Sequence, residues 1–283
     1  MGGILVLGAF FVSERSTVAQ ENVDGSIVSS APERSYIEEA DKNNDGTPDW
    51  QEVLTAQVID TIKLPSSTPE GVGLAYEKPT TFTGKFSEAF FTDYLGGRMN
   101  SETLGENDKK ALVESAVRSI ESNTASKVYT MSEILLVPDS EDALHAYGNQ
   151  MVEIVNRHSI KNELETSILK RALEQNDPAI LNDLAPIRQV YERVLSDSLA
   201  VPVPQSVAVA HTNIMTAYAG VLNDISGMEQ AFSDPLLALA SLQKYEKDMN
   251  YLYENIKKTV TILISNNVFY EKDEPGAFIY TII

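Results

Sequence analysis

There is no cysteine in the 283 residues of the chain. That absence excludes disulfides, thiolate-bound zinc, iron–sulfur clusters and cysteine nucleophiles together, while leaving the compartment open. Histidine is almost as scarce, with His145, His158 and His211 the only three. Positive charge is short as well: 22 Lys and Arg stand against 41 Asp and Glu, for a formal net charge of −19. Such a field repels phosphate backbones and anionic lipid headgroups, which excludes nucleic acid as a partner and favours cations and basic proteins. Glycine and proline, at 15 and 12, are too few for a collagen-like or disordered chain. No His-Glu-x-x-His, no Gly-x-Ser-x-Gly, no phosphate-cradling glycine loop and no dinucleotide fingerprint occurs. We therefore expect a protein that is not an enzyme.

Hydrophobic residues make up 43% of the chain, enough for at least one sizeable core. Residues 2–12 form an apolar run, Gly-Gly-Ile-Leu-Val-Leu-Gly-Ala-Phe-Phe-Val. A bilayer span needs about 20 residues, so this run suits the apolar region of a signal peptide, with Thr17-Val18-Ala19 as a cleavage site, or the truncated end of a longer anchor. A buried N-terminal element is the alternative. Segment 1–19 is expected to direct export, 20–35 to act as a tether, 36–64 to hold an acidic loop and a helix, 65–84 to be a Pro/Gly/Ser/Thr-rich linker, and 85–283 to form a helical domain.

The fold class expected is all-α, a helical bundle with room for one small two-stranded β element. Apolar residues recur at helical spacing over 53–64, 85–95, 107–122, 140–156, 162–174, 177–199, 205–232 and 236–265. Asp177-Pro178 reads as an N-cap with proline at the first helical position. Val201-Pro202-Val203-Pro204 cannot continue a helix and is expected to be extended. Residues 127–137 and 277–283 are the two strand-like runs, and pairing between them is the simplest expectation. The apolar C-terminus would then complete its own domain or add a strand to a neighbouring subunit.

The most informative segment is Asp41-Lys42-Asn43-Asn44-Asp45-Gly46-Thr47-Pro48-Asp49-Trp50-Gln51-Glu52. Oxygen ligands stand at loop positions 1, 3, 5, 9 and 12, as Asp41, Asn43, Asp45, Asp49 and Glu52. Gly46 falls where the chain must turn sharply, and Thr47 offers a backbone carbonyl at position 7. Calcium takes six to eight hard oxygens, and the mutual repulsion of these carboxylates turns into attraction around a divalent cation. The segment resembles the EF-hand loop, and more closely its single-loop relatives in dockerin modules and thrombospondin-type-3-like repeats of exported proteins. Pro48 replaces the aliphatic residue through which paired hands join, and no second loop follows. The resemblance therefore implies a structural Ca2+ clip rather than a calmodulin-like sensor. The whole chain also loosely resembles exported proteins of candidate-phylum bacteria that share an N-terminal anchor, an Asp-x-Asn-x-Asp-Gly-x-Pro-Asp-Trp-x-Glu loop and a helical region.

Other constellations are expected to be structural. His145, beside Asp139, Glu141 and Asp142, reads as a partly exposed helix histidine; His158 suits a helix C-terminus; His211 lies on an apolar helix and reads as a satisfied core residue. Glu163 with Glu165, and Glu271, Asp273 and Glu274, read as solvated faces. Tyr245, Tyr251, Tyr253 and Met249 read as core and core rim. The sequence points to an extracytoplasmic, secreted or membrane-anchored protein of the cell envelope, with protein partners or self-association. The alternative is a solute- or peptide-binding module that holds its ligand between helices.

Overall fold

The computed structural model describes residues 41–45, 47–62, 78–100 and 106–281. The expected signal or anchor segment, the tether and the linker up to residue 77 lie outside the described residues. Among those described there are eight α-helices: α1 (Asp49–Ile62), α2 (Phe82–Asn100), α3 (Glu106–Asn123), α4 (Glu141–His158), α5 (Glu165–Gln175), α6 (Leu184–Leu199), α7 (Ala208–Met228) and α8 (Pro235–Ser265). Two short strands, β1 (Leu135–Val137) and β2 (Pro202–Pro204), complete an all-α architecture with one small sheet.

Local chemistry sets the helix ends. The Ser140 hydroxyl accepts a hydrogen bond from the Ala143 N–H, and α4 carries Glu141 and Asp142 in its first turn and Arg157 and His158 in its last, each on the favourable end of the helix dipole. Asn176 and Asn267 take left-handed backbone at φ 50° and 58°, closing α5 and α8; asparagine tolerates that region better than most residues do. Asp177 caps as its position suggests, accepting from the Ala179 N–H at 2.9 Å, but it opens a 3₁₀ turn (Pro178–Asp183) that leads into α6.

The spine of the molecule is the antiparallel pair α7–α8. Gly227 faces Ser241, Asp224 faces Lys244, Gly220 faces Asp248 and Asn213 faces Asn255. Each step back along α7 is matched by one forward on α8, so the register does not slip. Tyr147, Ile168, Leu169, Tyr191, Met215, Ile225 and Leu252 fill the interior at under 2% exposure. Trp50 and Leu54 of α1 belong to this same core. A second, smaller cluster joins Val58, Phe82 and Leu236, with Phe86 and Ile120 packed on it, and so ties α1, α2 and α3 to the start of α8.

The β element differs from expectation. β1 pairs with β2 in parallel, Leu136 opposite Val203, and not with the C-terminus. The physical reason is that β1 and β2 lead towards α4 and α7. Two residues beyond each strand, Asp139 accepts hydrogen bonds from the Ser206 N–H and hydroxyl, extending the same register. The C-terminal run instead forms a 3₁₀ helix, Pro275–Thr281, docked on α4. There Glu274 accepts from Asn149 at 3.1 Å, Asn149 accepts from the Gly276 N–H at 2.7 Å, and Tyr270 stacks on His145.

Candidate metal centre

The loop 41–52 closes on itself through short-range polar contacts. Asn43 Oδ1 accepts the Asp45 N–H at 3.1 Å, and Asp45 Oδ1 accepts the Thr47 N–H at 2.8 Å. These are successive side-chain-mimicked turns, the kind Asn and Asp make readily. Asn44 between them has φ 56°. Lys42 holds the far side: its N–H donates to Asp49 Oδ1 at 2.9 Å and its Nζ lies 3.0 Å from Asp49 Oδ2. The hydrogen bond from the Lys42 backbone, then that from its side chain, holds the Asp49 carboxyl below its usual range, while hydrogen bonding to Asp49 raises the Lys42 ammonium.

The centre of the loop is the Asn43 amide. Its Nδ2 donates to Asp45 Oδ2 at 3.2 Å and to Glu52 Oε1 at 2.7 Å, so the carboxylates of loop positions 5 and 12 meet at the amide of position 3. That N–H₂ group stands where two anions share a positive partner. The donor set suits a hard cation: the charged ligands are all carboxylates, the rest are amide and backbone oxygens, and no soft atom competes. Asp49 and Glu52 sit in the first turn of α1, where anions also favour the helix dipole. Asp41 and Thr47 are half-buried at the loop margins. Asp49 is drawn to Lys42, and Gly46 lies outside the described residues. Among the described residues no group of three His, Asp or Glu side chains is close enough to hold a metal on its own; the convergence runs through Asn43.

The loop leads directly into buried structure. Trp50 is 4% exposed and Leu54 fully buried, so the loop's last residues are part of a helix fixed in the core. Full burial of such side chains is worth roughly 1.5–3 kcal/mol each.

The histidines fall into structural settings. His145 is half-buried against Tyr270 with Glu274 at 3.2 Å, and His158 meets Asp197 at 2.7 Å. His211 is fully buried; the Tyr147 hydroxyl lies 3.1 Å from its Nδ1, and burial first of all pushes its pKa down to about 4. Tyr245 and Met249 are core, Tyr253 packs on the core, and Tyr251 is 41% exposed. Glu163 pairs with Arg171 at the surface, but Glu165 departs from the expected solvated face: it is buried beside Tyr191 and Tyr245, whose hydroxyl pKa values rise through burial and then its charge.

Two buried aspartates escaped the sequence reading. Asp234 accepts hydrogen bonds from the Phe82 N–H, the Thr83 N–H at 2.8 Å and the Thr83 hydroxyl, while Thr83 Oγ1 accepts from the Leu236 N–H at 2.9 Å. It caps α2 from across the molecule rather than its own helix. Asp224 is fully buried between α7 and α8, 3.5 Å from Lys244 Nζ, and Lys244 lies closer to Asp248. Gly220 makes room, since a Cβ there would overlap the Asp248 carboxylate. Burial, outweighing the attraction of Lys244, pushes the Asp224 carboxyl up to about 8. An acid flanked at helical spacing by Val221, Ile225 and Met228 was the available signal for it.

No family model, curated protein or solved structure matches this chain. No helix among the described residues is long and apolar enough to cross a membrane.

Proposed function

We propose that the chain is a non-enzymatic, extracytoplasmic structural or interaction protein of the cell envelope, in which Ca2+ held by the loop 41–52 clips an N-terminal, membrane-anchored or secreted segment onto a helical bundle. Asp41, Asn43, Asp45, Asp49 and Glu52 would supply side-chain oxygens and Thr47 its carbonyl. The observation that carries this reading is the convergence of Asn43, Asp45 and Glu52 immediately ahead of a helix whose Trp50 and Leu54 are core residues. A cation there would neutralise the crowded carboxylates and stiffen the path by which the chain reaches the bundle. The acidic surface favours basic protein partners in the envelope.

The test is calorimetric titration of the purified chain with calcium, with melting followed in calcium and in chelator. Ligand present at a hundred times its Kd stabilises by about 2.7 kcal/mol, and a rise of that order in calcium is expected. It should vanish in Asp45→Ala and Glu52→Ala. No binding heat, together with unchanged melting of both variants in calcium, would sink the clip. A pull-down from native envelopes with and without calcium then asks whether the clip affects assembly.

A further inference from the structure

We propose that the outer edge of β1 is a docking site for an extended, basic segment of a partner protein, which adds to the sheet as a third strand. The two strands are unequally placed. β2 is the inner one, packed on α4 and α7 with Val203 fully buried. β1 lies outside it, and its two leucines, which point to opposite faces of the strand, are both exposed, Leu135 at 57% and Leu136 at 44%. Parallel sheets are normally covered on both faces. Among the described residues the backbone of β1 makes no hydrogen bond except to β2. Its other edge offers free N–H and C=O groups, the arrangement to which extended peptides add.

The approach to β1 is apolar as well, through Val128 at 68% and Met131 at 38% exposure. It is also held in place: the Tyr129 N–H donates to Thr216 on α7 at 2.9 Å, and Asp139 is tied to Ser206. A pre-positioned edge loses little entropy on binding.

Charge decides the occupant. Between residues 127 and 142 there are four acids, Glu133, Asp139, Glu141 and Asp142, and one base, Lys127, which is paired with Glu133 at 2.8 Å. A second copy of this chain, also at −19, is repelled from such an edge. A strand that alternates apolar residues with lysine or arginine is attracted, its apolar side covering a leucine and its bases facing the acids. The same repulsion explains how β1 keeps an apolar edge without a lysine or proline within it, where shortness is otherwise its one protection.

The inference rests on the reading of the chain as an interaction protein and is independent of the calcium loop. The probe is a ten-residue fluorescent peptide alternating valine and lysine. Its anisotropy is followed on titration with the full chain, at low and high salt, in calcium and in chelator. We expect saturable binding of equal strength with and without calcium, so that failure of the calcium clip and failure of strand addition are told apart. Hydrogen exchange of Leu135, Leu136 and Val137 should slow on binding. Replacing the peptide lysines by glutamate should weaken binding by at least about tenfold, and N-methylation along its hydrogen-bonding edge should abolish it. Leu135→Lys, a change at an exposed position that leaves melting unchanged, should weaken it too. Binding that survives N-methylation, or that leaves exchange at β1 unaltered, would overturn the proposal. So would sedimentation showing a dimer of the free chain that Leu135→Lys dissolves, because the edge would then belong to a second copy.

Discussion

Asp224 and Asp234 stand ten residues apart, one helical turn before the end of α7 and at the turn into α8, and they meet burial in opposite ways. Asp234, 3% exposed, receives two backbone N–H groups and a hydroxyl, and it lies at the amino ends of both α2 and α8. Both carboxylate oxygens are answered by protein donors in place of water, with helix dipoles adding to the effect. Asp224 is more deeply buried and far less well answered. Its nearest positive partner, Lys244, is shared with Asp248 and sits closer to it. A buried ion pair of that kind recovers little of the cost of leaving water. Burial alone does not say whether a carboxylate holds this bundle together or strains it; the count and direction of donors does.

Breaking the better-answered site should have the larger effect. Asp234→Ala leaves the Phe82 and Thr83 N–H groups unpaired and unties α2 from the start of α8, so a loss of about 2–4 kcal/mol is expected. Asp234→Asn keeps an acceptor and should lose about half as much. Urea unfolding followed by circular dichroism reads both. A loss confined to faster hydrogen exchange in α2, with the midpoint unchanged, would mean that Asp234 secures a helix the bundle can do without.

Asp224→Asn should act in the other direction. The folded carboxyl keeps its proton up to about pH 8, while the unfolded one releases it near 3.8. Between those values the folded state binds more protons, so stability falls as pH rises. Asparagine keeps the shape, removes the penalty and leaves Lys244 paired with Asp248. The variant should therefore match the parent near pH 4 and exceed it by about 1–3 kcal/mol at pH 8, a range set below the full linkage value because Lys244 and Asp248 are themselves partly open to solvent. Unfolding midpoints at pH 4, 6 and 8 decide it: a variant less stable at pH 8 would show that the attraction of Lys244 outweighs desolvation.

The helices were legible because their signals are local. Apolar residues at 3.6-residue spacing, Ser140, Asp177-Pro178 and Asn266-Asn267 place most helix bodies and several ends within a few residues of where they lie. The contacts among Asn43, Asp45 and Glu52 are local in the same way, since all three stand within one twelve-residue segment. What could not be read depends on distant partners. Asp234 looks like the cap of its own helix, and only the packing of α2 against α8 turns it towards Phe82 and Thr83. The strand-like C-terminus lost its expected pairing because Tyr270 fits against Gly148, where a Cβ would overlap its hydroxyl, and such a fit leaves no periodic trace.

A third carboxylate has a smaller, local effect. Glu274 is well answered like Asp234 but close to the surface: it accepts from the Glu271 N–H at 2.7 Å, from Asn149 at 3.1 Å and stands 3.2 Å from His145 Nε2. The Glu271 backbone hydrogen bond above all, then Asn149 and His145, holds its pKa below the ordinary 4.5. The sign is therefore opposite to that of Asp224. The contribution of Glu274 to docking the C-terminal turn is complete above pH 4.5 and is lost as pH falls through the lower folded value. Glu274→Gln should leave the global midpoint almost unchanged and speed hydrogen exchange only in 270–281, as acid does in the parent chain. If that segment stays equally protected in the variant and at low pH, its hold comes from Tyr270 against Gly148 and from buried Ile279, and packing rather than charge fastens the C-terminus to α4.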